Sequence, residues 1–144
     1  MDKKKTLITD LSGRLGSETY ITIPGKLDDP IILDNLSIPS GTFCYEGTWY
    51  DIEEVVPYLR SLYTMTDKEK EEIEEIFNNP CHKYEVDLYG CLCTTKVLKD
   101  DCGYIDIDLI SQYIDYLNRH HFDFRDLIEK GLAKEATKGM YEKQ

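Results

Sequence analysis

Apolar and polar positions change their rhythm near residue 65. Before it, short β-branched and aromatic runs alternate with breaks containing Gly and Pro; after it, apolar residues recur mostly at helical spacing. Glu18 to Pro24 alternates around Tyr20, Ile21, Thr22 and Ile23 and reads as a strand. Pro30 opens a second run, Ile31-Ile32-Leu33, and Pro39-Ser40-Gly41 is a turn cluster. Thr42-Phe43-Cys44-Tyr45 and Thr48-Trp49-Tyr50-Asp51 flank Glu46-Gly47, where a Gly at the second loop position suits a tight hairpin with positive φ. Asp10 to Leu15 reads as a single helical turn ahead of the first strand.

In the second half, Pro57 suits the first position of a short helix over 57–63, because its missing N–H has no intrahelical partner there in any case. Thr66-Asp67-Lys68-Glu69 is a helix start with a capping box, and the helix runs to about Phe77 before Asn78-Asn79-Pro80 stops it. Its apolar stripe is narrow, Ile73, Ile76 and Phe77, while Asp67, Glu69, Glu71, Glu72, Glu74 and Glu75 face only Lys68 and Lys70. From His82 to Leu88 the pattern alternates as in a half-buried strand, with His82, Tyr84, Val86 and Leu88 on one side. Gly90 to Gly103 carries no clear period. Asp106 to Asn118 is an amphipathic helix with Leu109, Ile110, Tyr113, Ile114 and Leu117 on its apolar face. Asp123 then caps a short helix carrying Phe124, Leu127 and Ile128, which Gly131 ends. The fold class that follows is α+β, a small N-terminal antiparallel sheet followed by a mainly helical C-terminal half with one or two further strands. A single domain over 1–144 is expected, β-rich over 6–51 and helix-rich over 57–136, with a tail over 137–144 that frays.

Composition narrows the setting. A chain of 144 residues can bury about two-thirds of its unfolded surface, enough to fold without disulfides or metal. There is no apolar run of about 18 residues to cross a membrane, and no apolar stretch behind the N-terminal lysines for a signal peptide. With five cysteines, an odd number, reduced thiols and a cytoplasmic location are expected. Seventeen basic against 28 acidic side chains leave a net charge of −11, which repels phosphate backbones and argues against direct nucleic-acid binding. An acidic surface either keeps the protein dispersed or occupies another protein's basic groove.

Candidate chemistry is sparse. Arg119, His120, His121 and Arg125 bring cations to one corner, where the start of a short helix would hold a phosphate or carboxylate; capping by Asp123 and packing of Phe122 and Phe124 explain the same residues without a ligand. Cys81, His82, Cys91, Cys93 and Cys102 do not fall at the Cys-x2–4-Cys spacing of zinc knuckles, so buried reduced thiols are expected rather than metal, and no cofactor is implied. Asp100, Asp101, Asp106 and Asp108 do not match a calcium loop. No phosphate-cradling Gly loop, nucleophile elbow or His-Glu-x-x-His motif occurs, which points away from a familiar enzyme and leaves an unfamiliar one open. Tyr45, Trp49, Tyr50, Tyr58 and Tyr63 gather around the hairpin and its exit, where exposed aromatics would mark a binding face.

The segment from Tyr116 through Leu117-Asn118-Arg119-His120-His121-Phe122-Asp123-Phe124-Arg125-Asp126-Leu127-Ile128-Glu129-Lys130-Gly131 to Ala133 resembles the C-terminal signature of small uncharacterised proteins of gut Bacteroidota and their phages and prophages. Asp10-Leu11-Ser12-Gly13-Arg14-Leu15 and Pro57-Tyr58-Leu59-Arg60, running into Met65-Thr66, are similar to two further stretches of that family, while Asp126 stands where a Gly is common. The resemblance implies an accessory role with mobile elements and carries no catalytic residue. The expected function is binding of a host protein without catalysis, through Trp49 and Tyr50 or through Glu71, Glu72, Glu74 and Glu75. The alternative is capture of a nucleotide-like small-molecule anion, or unfamiliar catalysis, at Arg119, His120, His121 and Arg125. A homodimer is the commonest assembly and stays open.

Overall fold

The computed structural model describes residues 2–78, 82–97 and 107–142. The fold mixes helices and strands as expected, an N-terminal sheet followed by a helical C-terminal half. The chain packs as two compact units, one from Met1–Arg60 with Asn118–Gln144 and the other from Ser61–Leu117.

The first unit opens with α1 (Lys3–Ser12), where a single turn over Asp10 to Leu15 was expected. Asp2 caps it, its Oδ1 accepting from the N–H of Lys5 at 3.1 Å. Leu7 and Leu11, one turn apart, are fully buried. Three lysines at a helix N-terminus oppose the dipole, so packing and not local propensity sustains this helix. Strand β1 (Tyr20–Ile23) pairs antiparallel with β2 (Leu27–Ile32) on one side and β5 (Val56–Leu59) on the other. The two-residue β8 (Lys134–Glu135) adds in parallel to β5, giving the order β2-β1-β5-β8. Pro30 lies inside β2 instead of opening it, which the sheet tolerates because β2 is an edge. The helix expected over 57–63 is corrected to strand over its first half: β8 reaches only Tyr58 and Leu59, so Pro57 has a strand neighbour on one side alone. The hairpin of β3 (Thr42–Tyr45) and β4 (Thr48–Asp51) forms as read, with Glu46 and Gly47 at φ 47° and 80°. Ile21, Ile23, Leu33, Phe43, Ile52, Leu59 and Leu127 close the core over α1.

The C-terminal segment of this unit departs from expectation twice. Residues after Asp123 form consecutive turns and not a helix, because Asp126 sits at φ 58° and breaks the helical run. Asp123 still caps, its two oxygens accepting from the N–H groups of Leu127 and Ile128 at 2.8 and 2.9 Å. The tail expected to fray is held at Tyr141, whose hydroxyl accepts from the N–H of Tyr20 at 2.8 Å and donates to the carbonyl of Tyr58 at 2.7 Å.

The second unit contains α2 (Asp67–Phe77), β6 (His82–Val86), β7 (Leu92–Val97) and most of α3 (Ile107–Arg119). Both halves of the capping box are present, Thr66 Oγ1 accepting from Glu69 N at 3.2 Å and Glu69 Oε1 accepting from Thr66 N at 3.0 Å. Glu69, Ile73 and Phe77 make the buried edge. The Phe77 ring meets Tyr84 at 5.5 Å and the edge of Tyr113 at 5.3 Å. The strand expected from His82 ends at Val86 and pairs antiparallel with β7. The apolar face of α3 is narrower than expected: Tyr116 and Leu117 are buried, whereas Ile110 and Ile114 are exposed.

Candidate functional site

Of the four residues expected to capture an anion, His121 and Arg125 put their side chains into polar contacts of the first unit around buried Asp10, Arg14 and Thr19. Arg14, one turn after Asp10 and fully buried with it, donates from Nε to Asp10 Oδ2 at 2.8 Å and from Nη2 to Asp10 Oδ1 at 3.0 Å. The same Nη2 donates to the carbonyl of Phe122 at 2.7 Å. Arg125 Nη1 donates to Asp10 Oδ1 at 2.9 Å, and its guanidinium lies 4.3 Å from the centre of the Phe124 ring. His121, buried and at φ 65°, places Nδ1 3.2 Å from Thr19 Oγ1 and stacks its ring on Tyr141 at 3.7 Å. The carbonyl of His120 accepts from Arg60 Nη1 at 3.3 Å, and Arg60 lies over the Phe122 ring at 4.2 Å. Arg119 is exposed on the last turn of α3. One carboxylate, Asp10, is thus shared by the guanidiniums of Arg14 and Arg125, with Arg14 Nη1 left without a hydrogen-bond partner among the described residues, and the ring of His121 stacks on the tail. Asp10, Arg14, Thr19 and Tyr141 were not singled out from the sequence. The one legible signal was Asp10 and Arg14 at i, i+4, a spacing that pairs opposite charges on any helix.

The partner-binding candidates also sort themselves. Cross-strand register sets Phe43 opposite Tyr50 and Cys44 opposite Trp49. Neighbours on a strand face opposite ways, so Tyr50 turns inward, its ring 6.5 Å from Phe43, while Trp49 stands 61% exposed. On α2 the four glutamates divide by helical phase. Glu72 Oε2 accepts from the hydroxyl of Tyr116 at 3.1 Å, and Glu74 Oε2 accepts from the N–H of Val86 at 3.1 Å. Glu71 and Glu75 are exposed and continue a line begun by Asp67, three carboxylates at intervals of one turn. That division was available from the spacing alone.

Cys44, Cys91 and Cys93 are free thiols. Cys91 and Cys93 are exposed, which corrects the expectation of buried cysteines for these two; Cys44 is half-buried. Local desolvation of the sulfur, together with the charge of Asp87 beside it, pushes the Cys93 thiol pKa up even though the residue is exposed, which disfavours the reactive thiolate. Cys81, Cys102, Asp100, Asp101 and Asp106 lie outside the described residues. Among the described residues no group of His, Cys, Asp or Glu is placed to hold a metal ion, and no helix is long and apolar enough to cross a membrane.

Sequence reasoning passed over Leu88 and Tyr89, which are exposed at 81% and 61%. Alternation through β6 assigns Leu88 to the buried side, but the strand has ended by then and the chain is already turning. The signal was Asp87 with Gly90, a turn pair at the end of an alternating run. Comparisons with protein-family models, with curated proteins and with solved structures find no match for the chain.

Proposed function

We propose that this protein acts by binding a basic surface of another protein, as an accessory protein of a phage or mobile element directed at a host target. Charge placement carries the reading. Residues Ser61–Leu117 hold thirteen acidic and five basic side chains, a net −8 of the chain's −11. Within them, α2 holds Asp67, Glu71 and Glu75 exposed along one line. A field of one sign attracts a basic partner over a distance set by ionic strength and speeds encounter. The likeness of Tyr116 to Ala133 to mobile-element proteins supports a host protein as the target. Trp49, exposed on the β3–β4 hairpin, offers a further contact of the kind enriched at interfaces.

Native mass spectrometry of untagged protein from its host's cytoplasm would identify the target as a stoichiometric partner. The double variant Glu71→Lys/Glu75→Lys, with Glu72 and Glu74 kept for their internal hydrogen bonds, should then weaken association about tenfold or more at low salt. The difference should shrink as salt rises. Affinity unchanged by the double variant would overturn the reading.

A further inference from the structure

The tip of the β6–β7 hairpin is built to hold two apolar side chains outward. Asp87 organises it: its N–H donates to the carbonyl of Cys91 at 2.9 Å, and its carbonyl accepts from Gly90 N at 3.1 Å. Its Oδ1 accepts from the N–H groups of Tyr89 and Cys91 at 2.8 and 2.9 Å. These amides, that of Cys91 first, hold the Asp87 carboxyl below the usual carboxylate range, which is the mark of a turn that uses the charge. Gly90 is buried at φ 75°, and a Cβ there would come within 2.6 Å of the carbonyl oxygen of Leu62. The tip is therefore locked against the 3-10 turn Leu62–Thr64, and no residue with a side chain fits at its hinge. That turn presents Tyr63, 70% exposed, whose ring meets Tyr89 edge to face at 5.8 Å. Leu88, immediately before Tyr89 in the same turn, is 81% exposed.

Leaving these three side chains in water on a fixed loop forgoes burial energy that they could contribute to stability. Aromatic anchors held rigid before contact give up little entropy on binding. We infer that Tyr63, Leu88 and Tyr89 form the anchor with which this protein docks on a cationic protein segment carrying apolar side chains. The inference rests on the function proposed above and specifies its surface. Charge decides the occupant. The unit that carries the anchor has a net charge of −8, which repels a second copy of itself, anionic membranes and nucleic acid, and attracts lysine- and arginine-rich protein.

The test uses the full chain and three labelled probes at low ionic strength: a helical peptide of lysine and leucine, polylysine, and a helical peptide of glutamate and leucine. Binding is followed by fluorescence anisotropy and by amide shifts in NMR spectra. Leu88→Ser removes a side chain that is almost wholly in water, so the fold stands, and Tyr89→Ser serves as the second variant. The lysine–leucine peptide should bind, shift the amides of residues 63 and 87–91, and lose about tenfold or more affinity in either variant. Polylysine should bind more weakly, with no loss in the variants. Lysine–leucine binding that leaves the tip unshifted and is indifferent to both variants would overturn the anchor while the acidic binding function stands. Failure of both cationic probes to bind would bring down the function itself. Equal binding of the glutamate–leucine peptide, or a dimer that Leu88→Ser dissolves, would overturn the choice of occupant.

Discussion

Asp10 receives hydrogen bonds from two guanidiniums while fully buried, and Arg14 beside it is fully buried too. Charges out of water persist only when paired in this way. Asp10→Ala leaves Arg14 with no carboxylate, and the expected loss is about 3–5 kcal/mol in urea unfolding; a loss below about 1 kcal/mol would mean that the cluster relaxes to solvent. Tyr141 is a second keystone, bridging the backbones of Tyr20 and Tyr58 through its hydroxyl. Tyr141→Phe leaves both backbone groups without that partner and should cost about 1–3 kcal/mol. Burial pushes the Tyr141 phenol pKa above its ordinary value. A folded-state pKa above the unfolded one means stability fully present below the ordinary tyrosine value of about 10 and lost as pH rises from there through the native value. The gap between wild type and Tyr141→Phe should accordingly narrow above about pH 10 in denaturation curves taken at rising pH. A constant gap would show that the phenol ionises freely.

Elements divide by whether their cause is local. The start of α2 was legible because the capping box needs only Thr66 and Glu69 at the right spacing, and both hydrogen bonds form. Thr66→Ala should lower stability by about 1 kcal/mol, with the loss concentrated in amide exchange over the first turn of α2; unchanged exchange there would show that tertiary packing alone holds the helix start. The β3–β4 hairpin was legible for a similar reason, since Glu46-Gly47 must take positive φ to turn in two residues. The start of α1 was not, because lysines fill its first turn against the dipole and the helix is sustained by the burial of Leu7 and Leu11 in a core whose other members lie far along the chain. Pro57 misled for the same reason: a proline suits a helix start and a one-sided strand equally, and only the short reach of β8 decides between them.

At the scale of the whole molecule, an N-terminal and a C-terminal segment of the chain share one unit. Residues 118–142 return to the unit begun by residues 2–60, so the corner that reads as a ligand site along the chain becomes the seam that fastens the C-terminal segment to α1 and β1. Adjacent histidines and arginines in sequence carry no information about Asp10 or Tyr141, more than a hundred residues away or just beyond the last clear period. The acidic side of the candidate interface was legible, because charge is a property of composition and helical phase. The apolar side was not, because exposure of Leu88 and Tyr89 depends on where β6 stops and on Gly90 fitting against Leu62.

The sequence by itself determined the α+β class, the hairpin, the capped acidic helix and the sign of the field that any partner meets. Each rests on interactions between residues a few positions apart, or on a sum over all of them. Tertiary structure alone decided which charges are spent in the buried cluster and which remain on the surface, and which aromatics close the core and which stand in water. Those outcomes depend on partners distant in the chain, and no local period encodes who will be there.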